Sequence, residues 1–145
     1  MIRRLAALLV AGLLVSACGT VSAASALRSW VSQSSFRSAV ASLRGDAVHS
    51  AKVLRDARAS TNQLHTVCAV LDFETLQANA ALPTPDDQAT HLLAKAYNNF
   101  GAGANECFHA ANSASRRATA IASLEVAVSA LSEATARVDV ASAKS

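Results

Sequence analysis

The chain has 145 residues, with 13 Lys and Arg against 10 Asp and Glu and a formal charge of +3 when its four histidines are neutral. That length holds one domain with a single core, and 4% aromatic residues with five glycines and two prolines argue against a β-rich fold and for helices packed through small side chains. Arg3 and Arg4 belong to an N-terminal leader, so the chain beyond it carries 11 − 10 = +1, too weak a field to gather nucleic acid.

The leader has the anatomy of an export signal over residues 1–17. Arg3 and Arg4 form its positive start, and Leu5 to Val15 is an apolar run too short to span a bilayer comfortably. Val15-Ser16-Ala17-Cys18 then resembles the bacterial lipobox, an aliphatic residue and two small ones before a cysteine. That resemblance implies diacylglyceryl transfer to the Cys18 sulfur and cleavage before it, so Cys18 is expected to lead the mature protein. Two acyl chains hold a protein on a membrane stably where one does so only marginally. The expected location is therefore the extracytoplasmic face of the cell membrane, with the bilayer as the first partner.

Residues 18–34 read as a small, Ser-rich tether, in which the helical spacing of Leu27, Trp30 and Val31 predicts a turn or two. The helical domain is expected over 35–141, with 142–145 as a tail. Ser34 or Ser35 caps a first long helix with the stripe Phe36, Val40, Leu43, Ala47, Ala51, Leu54, and Gly45-Asp46 predicts at most a local irregularity. Ser60 and Gln63 stand at capping-box spacing before a second helix carrying Leu64, Val67, Cys68, Leu71, Thr75 and Ala78 on one face. Leu82-Pro83 ends that helix. In Thr84-Pro85-Asp86-Asp87, threonine caps, proline takes the first helical position and the aspartates complement the positive end of a third helix. The third helix continues through Ala96, Phe100, Gly103 and Cys107, its glycines read as points of close approach because the apolar stripe keeps its phase across them. After a joint at Asn112–Ser115 with the Arg116-Arg117 doublet as a solvated helix start, the last helix shows Ile121, Leu124, Val128, Leu131, Thr135 and Val138 spaced 3-4-3-4-3. The fold class is all-α, an antiparallel four-helix bundle.

The second and third helices carry extra apolar stripes: Val70, Phe73 and Ala80 on one, Leu93, Tyr97, Gly101, Ala104 and Phe108 on the other. Either both helices are central and buried on two sides, or Phe73, Tyr97 and Phe108 form an apolar contact surface or line a pocket. Burial with little void is expected, because Gly101, Gly103 and Ala104 beside Tyr97 and Phe108 favour close contact. A binding site would instead open a pocket of about 300 Å³ or more among the three aromatics.

With Cys18 acylated, Cys68 and Cys107 are the one pair left, and export favours their disulfide. Cys68 lies about 20 Å of helix before the Pro-containing turn and Cys107 about 30 Å after it, an offset the extended turn absorbs. His65, Cys68, Cys107 and His109 imitate a Cys2His2 metal site, but residues two apart on a helix diverge by about 200°, so no metal or other cofactor is expected. His49 and His91 have no neighbours at ligand spacing. The pair Asp72 and Glu74 diverges, Asp86 and Asp87 serve a helix start, and no phosphate loop or nucleophile elbow occurs, so no enzymatic role is expected.

Trp30 and Phe36, Cys68 with Leu71 and Asp72, the LPTPDD turn, Ala96-Tyr97-Asn98-Asn99-Phe100 and Cys107 together resemble the small secreted or lipid-anchored helical proteins of actinobacteria. The resemblance implies a helical fold, export and a cysteine bridge, and supplies no substrate. The function expected is a structural or protein-interaction role in the cell envelope. The alternative is a small module holding an apolar or lipid ligand between helices.

Overall fold

The computed structural model describes residues 22–111 and 113–144, so the leader and Cys18 lie outside the described residues. Five helices follow one another: α1 (Ala23–Gln33), α2 (Phe36–Arg55), α3 (Thr61–Asn79), α4 (Asp87–His109) and α5 (Ala114–Ser142), with no strand among the described residues. They pack as a helical bundle. α4 lies against α3 and α5, α2 against α3 and α5, and α1 against α5 and α2.

The expected tether is mostly helix. α1 starts at Ser22, whose hydroxyl accepts from the Ser25 N–H at 3.2 Å, and it buries Ala24 and Leu27. Trp30 donates its indole N–H to the Ala81 carbonyl at 2.9 Å and lies 5.3 Å from the Phe36 ring, while Arg28 reaches the Ser142 carbonyl at 2.7 Å. A turn or two underestimated this segment because Ser and Ala dilute its apolar stripe. Tertiary contact on α5 and α2 completes a helix that propensity alone leaves marginal. The helical packing therefore includes α1, ahead of the expected domain boundary at residue 35. Ser35, in the left-handed region at φ 53°, separates α1 from α2.

α2 buries all six residues of its expected stripe and runs straight through Gly45, where an added Cβ would meet nothing within 4 Å. α3 opens on a complete capping box: Ser60 Oγ accepts from the Gln63 N–H at 3.2 Å and Gln63 Oε1 from the Ser60 N–H at 2.8 Å. At the start of α4 the expected roles shift by two residues. Asp86 is the cap, accepting from the Ala89 N–H at 2.7 Å, whereas Thr84 folds into the preceding turn with its N–H on Thr90 Oγ1 at 2.9 Å. The Leu82–Pro83 peptide in that turn is cis. Asp86 also takes a two-pronged ion pair from Arg137 of α5, at 3.1 and 2.5 Å.

α4, packed between α3 and α5, buries Leu93, Ala96, Tyr97, Phe100, Gly103, Ala104 and Cys107 without breaking at its glycines. At Gly103 α4 comes close to α5: a Cβ there would stand 2.8 Å from Leu124 Cδ2, whereas one at Gly101 would meet nothing within 4 Å. That approach moves the buried seam of α5 off the expected heptad. Leu124, Leu131 and Val138 are buried as expected, but the alternate rows are Ala120, Ala127, Ala134 and Ala141, and Ile121, Val128 and Thr135 are only half-buried. Closely approaching helices place alanine in the seam and push β-branched side chains to its flank.

The Arg116-Arg117 doublet also departs from expectation. Arg116 is solvated, but Arg117 is only 9% exposed. Its Nε donates to the Ala111 carbonyl at 2.8 Å, Nη1 to the Asp56 carbonyl at 2.6 Å and Nη2 to the Ala59 carbonyl at 3.2 Å. One guanidinium thus ties the α2–α3 loop to the α4–α5 joint, serving carbonyls that end or follow a helix.

Candidate functional site

α3 turns Leu64, Cys68, Leu71, Thr75 and Ala78 inward, and helical geometry then directs positions 70, 73, 76 and 80 outward. The consequence is an apolar outer face, with Val70 46%, Phe73 58% and Leu76 60% exposed. No Lys or Arg lies between Thr61 and Asn79; the charged side chains of the helix are Asp72 and Glu74, and both acids flank this face. It is a hydrophobic strip with an acidic border.

The disulfide fixes what lies beside one end of the strip. Cys68 and Cys107 are bonded, both buried, with their Cα atoms 5.7 Å apart, and they lock α3 against α4. Phe108, adjacent to the bridge, is 39% exposed and stacks on His65 with ring centroids 4.0 Å apart and an interplanar angle of 9°. His109 meets Phe108 edge-on, with ring centroids 5.6 Å apart. With both sulfurs bonded to each other and His65 flat on a phenyl ring, the four residues that imitate a metal site are committed to packing. Among the described residues no group of His, Cys, Asp and Glu converges on a metal position. His49 and His91 are exposed.

The three aromatics expected to act together are separated. Tyr97 is buried at 3% exposure, and burial pushes its hydroxyl up to about 12, so it stays neutral. It borders a groove of about 250 Å³ together with Trp30, Phe36, Glu74 and Gln77, and neither Phe73 nor Phe108 reaches that groove. The expectation that all three are buried holds for Tyr97 and fails for Phe73 and Phe108. α4, between α3 and α5, buries residues of both its apolar stripes, whereas the second stripe of α3 faces out. Leu76 was missed although it stands three residues after Phe73 and four before Ala80, so the helical spacing could have found it, and the absence of Lys and Arg along α3 marks the helix as unusual for a surface element.

A larger cleft, about 460 Å³, lies elsewhere, where Leu54, Arg55 and Ala57 face Ala114, Arg117, Ala118 and Ile121. No described helix is long and apolar enough to cross a membrane. No protein-family model matches the chain, and no curated protein or solved structure is significantly similar to it.

Proposed function

We propose that this is an exported lipoprotein, anchored at Cys18 to the extracytoplasmic face of the cell membrane, whose bundle holds an apolar face of α3 toward an envelope protein partner. The role is interaction and not catalysis. The observation that carries the reading is the strip of Val70, Phe73 and Leu76. Three large apolar side chains exposed on one face of one helix form the kind of patch that marks protein contact. A buried disulfide accords with the oxidising compartment that the leader implies.

The bundle itself is read as four antiparallel helices, α2 to α5, with α1 laid against α2 and α5. Pairings along the seams support this. Arg37 with Asp139, Arg44 with Ser132 at 3.2 Å and Arg55 with Glu125 at 3.1 Å ascend α2 while descending α5. Asp86 with Arg137 and Glu106 with Ser123 do the same for α4 and α5.

Two experiments test the proposal. Cell fractionation with mass spectrometry should find the mature protein in membranes with a diacylglyceryl increment on Cys18, and Cys18→Ala should accumulate as uncleaved precursor. Efficient cleavage of that variant at the same bond would sink the anchor. A photo-crosslinking residue at position 73 should capture one discrete envelope protein in living cells, and the same residue at the exposed Val140 should not. Equal, diffuse labelling from both sites would refute the α3 interface.

A further inference from the structure

We propose that the cleft between the end of α2 and the start of α5 is a binding site for an amphipathic organic anion, a carboxylate or phosphate carried on an apolar body. Its volume, about 460 Å³, falls within the usual size of small-molecule sites. Leu54, Ala57, Ala114, Ala118 and Ile121 make apolar walls, the two charged lining residues are Arg55 and Arg117, and no acid lines it. Such a surface suits a ligand with both an apolar body and a negative head.

Arg117 is the centre of the inference. It is nine-tenths buried, and no carboxylate of the described residues lies within ion-pair distance of it. Its charge is met by three backbone carbonyl dipoles, which occupy three of the five N–H donors of a guanidinium. A desolvated cation without a counter-ion is costly, and an anion arriving in the cleft would relieve that cost. The surroundings act in the same direction. Both charged side chains of the cleft wall are cationic, and the neighbouring Asp56 carboxylate accepts from the Arg58 N–H at 2.9 Å. Ala114, the first residue of α5, adds the positive end of a 29-residue helix. Arg55 pairs with Glu125 at 3.1 Å, but both side chains are more than half exposed, and such a pair exchanges for a ligand anion at little cost. The site is independent of the α3 strip.

Ile121 and Ile2 are the only isoleucines in the chain, so the Ile121 methyl reports on this cleft. Full-length protein with ¹³C-methyl isoleucine, held in phosphatidylcholine nanodiscs, is titrated with 2-naphthoate, with its neutral isostere 2-naphthamide and with inorganic phosphate. The expected result is a saturable, one-site shift of Ile121 with 2-naphthoate, weakened about tenfold in Arg55→Gln by loss of a charged partner. Ala118→Leu, at an exposed position that leaves the core untouched, should fill the cleft and weaken binding by about the same factor. The proposal is overturned if Ile121 shows no saturable shift, if 2-naphthamide binds as well as 2-naphthoate, if phosphate alone gives the same response, or if Ala118→Leu binds undiminished.

Discussion

Replacing Arg117 by Met removes the guanidinium while keeping most of the side-chain volume. Three carbonyls lose a charged donor: that of Ala59 in a buried bond, and those of Asp56 and Ala111 in partly buried ones. Leaving the Ala59 carbonyl unpaired in a dry setting costs about 1–3 kcal/mol, and each bond that water replaces costs about 1 kcal/mol. The sum is roughly 3–5 kcal/mol, a large share of the 5–15 kcal/mol by which domains are typically stable. Arg116→Met is the matched control. Arg116 is exposed, and among the described residues its side chain makes one hydrogen bond, to the His109 carbonyl at 3.4 Å, so its loss should stay within about 0.5 kcal/mol. Arg117→Lys should recover less than half of the loss, because one ammonium cannot serve carbonyls from two separate loops. Urea unfolding of the oxidised protein, followed by far-UV circular dichroism, measures all three. A midpoint shift at unchanged slope is the expected form. If Arg117→Met costs no more than Arg116→Met, the clamp is not what joins these loops.

Other outcomes follow from the same contacts. Gly45→Ala and Gly101→Ala, in open helical positions, should each stabilise the protein by about 0.5–1 kcal/mol, whereas Gly103→Ala, with Leu124 Cδ2 2.8 Å from the new Cβ, should fall short of both in thermal melts. Tyr97 is the only tyrosine, so its absorbance at alkaline pH titrates one group, and the transition should lie near pH 12 in the folded protein. A folded value raised above the unfolded one near 10 contributes stability that is complete below about pH 10 and lost as pH rises toward 12; Tyr97→Phe should abolish that alkaline loss. Asp86 has the opposite sign: its hydrogen bond from Arg137 holds the carboxyl below its usual range, so its contribution is present above about pH 4 and disappears as pH falls through the lowered value. Asp86→Asn should flatten the acid limb of a stability–pH curve. Reducing the Cys68–Cys107 bridge, which closes a separation of 39 residues, should cost about 4 kcal/mol in urea unfolding; thiol labelling of both cysteines in the unreduced, unfolded protein would contradict its presence.

Local chemistry was legible in the sequence wherever one residue type has one economical use. The Ser60–Gln63 capping box, the α2 stripe and the Cys68–Cys107 pairing stand where spacing put them, because caps, helical faces and a single remaining cysteine pair depend on neighbours in the chain or on simple elimination. Tertiary structure alone decided what alanine, glycine and arginine do. Ala120, Ala127 and Ala134 are buried along α5, which packs against α4, and an alanine carries no sign of which neighbour it will meet. Phe73 and Phe108 looked like core because aromatic residues on a helical stripe usually are. Whether such a stripe is covered depends on where the neighbouring helices lie: α2 and α4 pack on α3 yet leave Phe73 exposed, and Phe108 is exposed near the end of α4. Arg117 was read as solvated because arginine at a helix start normally is. Its burial required two loops distant in sequence to bring their unpaired carbonyls to one place, which no local pattern encodes.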